Sequence, residues 1–157
     1  MSPTTVLILS FLIGLFTGSR SSTPIAIVAW AERAGWIAAP RYFAWIGALP
    51  VAIIFTVLAI VEIVYDKLSW APPRTAPPGL TARIVMGAVT GVCVAATGTQ
   101  SAAAGAIAGV VGALVGTFGG FQLRTRLVKS MHAPDFVIAI AEDLVTIGGS
   151  LWVVTRF

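Results

Sequence analysis

Glu142 and Asp143 stand side by side inside an apolar run of 19 residues, Phe136–Val154. As a helix, a run of that length reaches across a bilayer. A single carboxylate near the centre of such a helix costs roughly 2.5–3.5 kcal/mol on insertion scales. Two in succession are poor candidates to face lipid; they need a basic partner, a proton or water. Glu62 repeats the arrangement after the apolar run Val51–Val61. A chain built this way has to fold with its acids turned inward.

Composition sets the solvent. Of 157 residues, 57% are hydrophobic and only 10% charged, against about 25% charged in soluble domains. Mean hydropathy is +0.94. No polar stretch is long enough for a separate soluble domain, so residues 1–157 read as one all-α transmembrane domain. The net charge of +4 is spread over short loops. That distribution suits anionic lipid headgroups and membrane topology, and argues against a nucleic-acid partner. Cys93 is the only cysteine, which excludes an intrachain disulfide and a cysteine-based metal site. The N-terminus lacks the early Lys or Arg of a secretory leader, so the first apolar run is expected to be retained in the membrane.

The pattern predicts a compact bundle of about five transmembrane helices: Val6–Gly18, Tyr42–Tyr65 containing Pro50, Ile84–Thr97, Ala102–Gly120 and Phe136–Val154. The first is short. Either it ends at Gly18 and leaves Pro24–Arg33 as an interfacial helix, or it continues to Ala31 as a helix broken at 18–24. Thr23 as N-cap and Pro24 as first helical residue suit a new start there. Residues 69–79 carry four prolines and read as a stiff extended loop, either a spacer or a presenter of Arg74 and Thr75. Trp36, Tyr42, Trp45, Tyr65, Trp70 and Trp152 lie near span ends, as an aromatic belt does. Gly105, Gly109, Gly112, Gly116 and Gly120 recur at spacings of 4, 3, 4 and 4. They form one small-residue stripe for helix packing, inside the bundle or in a homodimer. With five spans, the N-terminus, the Lys67–Arg83 loop and the Arg124–Lys129 loop share one side. Six basic residues against four then place the N-terminus in the cytoplasm.

An internal echo accompanies this. Gly14-x-Phe16-x-Gly18 matches Gly116-x-Phe118-x-Gly120, and Ile60-Val-Glu62 matches Ile140-Ala-Glu142. Helices 1–2 and 4–5 would then form an inverted repeat, an arrangement many transporters use.

The residues that can carry chemistry follow from this frame. Glu62 and Asp66 share a helix face at a spacing of four. Glu142 and Asp143 point about 100° apart and can meet different partners. Arg20, Arg83 and Arg124 are the natural counter-charges. The segment with Arg20, Ser21, Ser22 and Thr23 offers hydroxyls, a guanidinium and the free N–H groups of a following helix, which suit an anion or phosphate. Arg20, Ser21, Ser22, Thr23, Glu62, Asp66, Arg74, Arg124, Glu142 and Asp143 are therefore the candidates for substrate or ion binding. Each also has a plainer role as a buried ion pair or cap. No Walker loop, paired-histidine motif or catalytic-triad spacing is present, and His132 stands alone. No cofactor is evident; Mg²⁺ or another cation is conceivable through carboxylates and a substrate phosphate.

Three segments together resemble a known family. They are Gly18–Pro24 with Ala29–Arg33, Glu62-x-x-x-Asp66-Lys67 leading to Pro73–Leu80, and Gly119-Gly-Phe-x-x-Arg124 leading to Ala141-Glu-Asp143. The combination looks like the bacterial membrane family called domain of unknown function 4126, and it covers nearly the whole chain. It implies a small polytopic inner-membrane protein and supplies no activity. The chain departs from that family's pattern at Phe121-Gln122, where tyrosine followed by a basic residue is common. The leading expectation is a transporter- or channel-like protein, a homo-oligomer, whose acidic/arginine cluster handles an ion, proton or small anionic solute. The alternatives are a membrane enzyme acting on a lipid or prenyl phosphate, and an accessory subunit of a larger membrane complex.

Overall fold

In lipid every backbone N–H and C=O must be satisfied within the chain, which leaves apolar runs to form helices. The computed structural model describes residues 1–67, 76–131 and 134–157, with no strand among them. The described helices are α1 Pro3–Ser19, α2 Ser22–Arg33, a 3-10 turn Ala44–Gly47, α3 Leu49–Tyr65, α4 Pro77–Thr97, α5 Ala102–Met131 and α6 Asp135–Val154. Prolines open three of them at N1 or N2: Pro3, Pro50, and Pro77 with Pro78. A proline there forfeits no helical hydrogen bond. Hence α4 begins at Pro77 rather than Ile84, and the proline-rich loop expected to run to Gly79 ends earlier. The rest of that loop, with Trp70 and Arg74, lies outside the described residues, as does His132. Helices α4, α5 and α6 are long and apolar enough to cross a membrane, and α1 and α3 are shorter apolar helices. At 30 residues α5 is about 45 Å long and runs well beyond the expected Gly120.

Contacts fix the direction of every helix. Gly98, after α4, lies against Val6, while Arg83 near the start of α4 bonds the Gly18 carbonyl. So α1 and α4 are antiparallel. Trp30 bonds Thr56, Glu32 packs on Gly47, and Ser21 and Ser22 reach Glu62. So α2 runs back alongside α3. The first helix is therefore neither one broken span nor a helix followed by an interfacial segment. It is a tight helical hairpin, and all six helices alternate in direction.

That hairpin corrects two expectations. With α2 returning, the N-terminus lies at the end of the bundle opposite Lys67 and the C-terminal part of α5, not beside them. It also changes the internal echo. Gly14 lies against Gly109, and Gly18 against Ala113 and Thr117, so residue numbers rise together and α1 and α5 run parallel. An inverted repeat of helices 1–2 and 4–5 would need them antiparallel.

The glycine stripe is used inside the bundle. Gly105 and Gly109 face Gly91 and Gly87 of α4, and Gly112 and Gly116 meet the α1 backbone at Phe11 and Leu15. A Cβ at these positions would strike neighbouring backbone or a packed side chain, so glycine is what allows α5 to wedge between α1 and α4. Gly120 is looser, with Ser19 Oγ and Glu142 Oε1 at ordinary contact distances from where a Cβ would stand. The core runs through Leu9, Ile13, Ile25, Val28, Cys93, Val94 and Val153. Large apolar side chains such as Ile54, Val57, Ile107, Val115, Leu144 and Val145 point outward, the expected surface of a protein bathed in lipid.

Candidate functional site

The turn between α1 and α2 carries the chemistry. Arg20 leaves the helix in an extended conformation and its side chain is completely buried. Its Nε donates to Asp143 Oδ1 at 2.7 Å, and Asp66 Oδ2 stands 2.9 Å from Nη1 as an ion pair. Nη2 has no hydrogen-bond partner among the described residues. Asp143 accepts a second cation, Lys67, at 2.7 Å. Asp66 likewise holds Arg124 at 2.8 Å. Arg124 in turn donates Nε and Nη2 to Asp135 at the first position of α6. One chain of alternating charge thus joins the ends of α1 and α3 to the bodies of α5 and α6. Removing one partner from a buried pair leaves the other uncompensated, at a cost of about 3–5 kcal/mol.

Glu62 occupies the start of α2. Its Oε1 accepts from the backbone N–H and the hydroxyl of Ser21, both at 2.9 Å, and its Oε2 accepts from the Ser22 N–H at 2.7 Å. Free N–H groups and the helix dipole make this an anion site, and the anion in it is the protein's own glutamate. Capping therefore comes from α3, not from Thr23. Ser21 is the N-cap, and Thr23 is buried with its hydroxyl unpartnered among the described residues. The opposite dipole end is compensated too: the Gly18 carbonyl near the end of α1 accepts from Arg83 Nε at 3.1 Å and Thr117 Oγ1 at 3.2 Å.

The sequence candidates Arg20, Ser21, Ser22, Glu62, Asp66, Arg124 and Asp143 thus come together. Thr23 is next to them in the chain without joining the described hydrogen bonds. Glu142 sits at the rim, with Oε2 3.7 Å from Arg124 Nη1. Asp66, which the sequence allowed to be a simple interface residue, is central. Sequence reading missed Lys67 and Asp135 as members. Both lie at helix ends next to a recognised candidate or span, and a span-end charge looks solvated until its neighbour helix is known. The interior of the cluster is shielded from the surface, with Arg20 at 0% and Asp143 at 7% exposure. The rim is wetter, the Lys67 side chain reaching 26%. Among the described residues no group of three or more His, Cys, Asp or Glu is placed to hold a metal ion.

Beside the rim lies a groove of about 520 Å³ bounded by α1, α5 and α6. Its walls are apolar, including Phe16, Leu123 and Val145, and Ser19, Arg124 and Glu142 supply polar atoms.

A family model described as a domain of unknown function (DUF4126) matches residues 7–155, and the chain belongs to that family. Neither the curated proteins nor the solved structures yield a match.

Proposed function

Within a family of unknown function, we propose that this chain is a transporter- or channel-like protein of the bacterial inner membrane, whose Arg20-centred cluster handles a proton, an ion or a small anionic solute. The observation that carries this reading is the buried Arg20 guanidinium with Nη2 unpartnered among the described residues. Burying such a donor unmet costs about 1–3 kcal/mol, and water or a small anion arriving there repays it. Shared carboxylates support the same reading. Asp143 lies between Arg20 and Lys67, and Asp66 between Arg20 and Arg124. An incoming charge can then be accommodated by exchanging partners rather than by opening a bare charge to lipid. Among the described residues, six basic ones (Arg20, Lys67, Arg83, Arg124, Arg126 and Lys129) belong to the cluster half of the bundle, against Arg33, Arg41 and Arg156 in the other. This balance supports a cytoplasmic cluster end with the N-terminus on the far side.

The test is flux through purified protein in vesicles. Proton, potassium, chloride and phosphate movement is followed with internal dyes or tracers, for wild type, Arg20→Lys and Glu142→Gln. One of these species should cross faster than in protein-free vesicles, and Arg20→Lys should slow it. No flux of any species through correctly inserted protein refutes the proposal. A second reading, an enzyme acting on a lipid or prenyl phosphate, is favoured by the apolar groove ending at Arg124. Release of phosphate from such a lipid by the same protein, with Mg²⁺ present, would select it instead.

A further inference from the structure

The groove between α1, α5 and α6 has a shape and lining that the ionic cluster does not explain. We propose that it binds one membrane lipid, taking a hydrocarbon chain along its walls and a zwitterionic headgroup, an ammonium with a phosphate, at the Arg124–Glu142 rim. The site shares Arg124 and Glu142 with the rim of the ionic cluster, but lipid retention is read without flux, so the two proposals fail separately.

Solvation favours a hydrocarbon chain in this groove. About 520 Å³ lies within the usual range of ligand sites. Walls of Phe16, Leu123 and Val145 give water nothing to bond, and Leu123 and Val145 are exposed on the apolar outer surface of the bundle. Hydrocarbon fills such a space at no desolvation cost. Gly119 and Gly116 form part of the wall. Gly116 is held by close packing on Leu15, whereas a Cβ at Gly119 would meet nothing within 4 Å. The bundle's own packing therefore does not require glycine at 119, and a bare backbone there leaves the groove wide.

Charge at the rim selects the headgroup. Arg124 lines the groove, but its guanidinium is already engaged by Asp66 and Asp135. Glu142 lines it as well, 3.7 Å from Arg124. Among the described residues that line the groove, Glu142 is the one anion and Arg124 the one cation, so a purely anionic headgroup would meet Glu142 with no cation of its own to set against it. A purely cationic one would meet Arg124. A zwitterion can set its ammonium against Glu142 and its phosphate against Arg124, so each charge faces its opposite.

The test is lipid binding to the intact purified protein, read by native mass spectrometry during titration with phosphatidylethanolamine or with phosphatidylglycerol of the same chains. Wild type should retain one phosphatidylethanolamine per chain in preference to phosphatidylglycerol. Gly119→Leu fills the groove from a position with open space, and should weaken retention of both lipids by about tenfold or more. Gly148→Leu adds the same side chain at another exposed glycine of open surroundings outside the groove, and should bind as wild type does. Glu142→Gln should erase the preference between the two lipids while leaving a bound chain, which a merely blocked groove would not do. Equal binding by Gly119→Leu and wild type overturns the proposal. So does a wild-type dimer that Gly119→Leu dissociates, because the groove would then be an interface between copies.

Discussion

Two glycines on the same helix should respond to alanine with opposite signs. At Gly109 an added Cβ runs into the Gly87 carbonyl oxygen, with the Gly87 carbonyl carbon at 2.9 Å and Gly91 Cα at 3.1 Å. Carbon pairs prefer about 3.5–4.0 Å, and all three obstacles are backbone, so no side chain can rotate away. Helices α4 and α5 would have to part by about 1 Å along a seam that also serves Gly105. Overpacking of this kind costs about 1–3 kcal/mol, and rigid backbone argues for the upper part of that range. Better helix propensity returns about 0.8–1.0 kcal/mol. The net expectation for Gly109→Ala is a loss of about 2 kcal/mol, or about 4–8 °C in Tm for a chain of this size. Gly119→Ala meets no atom within 4 Å and keeps only the propensity gain, so its Tm should rise by a few degrees. Thermal unfolding in one detergent, followed by far-ultraviolet circular dichroism, checks both. A neutral Gly109→Ala, or a shift of the same sign in both variants, would refute the packing assigned to the stripe.

Arg20→Met should cost about 3 kcal/mol, the low end for a broken buried pair, because Asp143 keeps Lys67 and Asp66 keeps Arg124. Adding Asp143→Asn to Arg20→Met should cost less than the sum of the two single changes, and strict additivity in chemical unfolding would deny the direct link. Glu62→Ala removes three hydrogen bonds at the start of α2 and should cost about 2 kcal/mol, with Glu62→Gln retaining part of it. Hydrogen exchange at the Ser21 and Ser22 amides should accelerate in the alanine variant, and unchanged protection there would argue against capping from α3.

Composition and periodicity carry the helical class because the bilayer leaves an apolar chain almost no other choice. Phe136–Val154 was legible nearly to the residue. Its flanks are polar on both sides, and Asp135 extends it by one position. The glycine stripe was legible as a packing face because its spacing is itself the geometry. Helix ends were less legible where proline intervened, since the same residue that breaks a helix interior opens a first turn at Pro77. The site was half legible. An arginine and several acids in apolar surroundings must seek each other, so the sequence named most of the members, but it could not name the pairs.

The sequence by itself determined that this is a helical membrane protein, that α5 carries a glycine stripe for helix packing, and that the acids inside the apolar runs, Glu62, Glu142 and Asp143, cannot face lipid without a partner. Those conclusions depend only on local periodicity and on the solvation cost of charge. The direction of α2 was decided by the tertiary structure alone. The turn at Arg20 is stable because Glu62 from one helix and Asp143 from another, 41 and 122 residues from Ser21, are brought to it. With that return pass came the side on which the N-terminus lies, the parallel course of α1 and α5, and the occupation of the α2 anion site by Glu62. All of these hinge on long-range contacts whose energy is invisible to a pattern read along the chain.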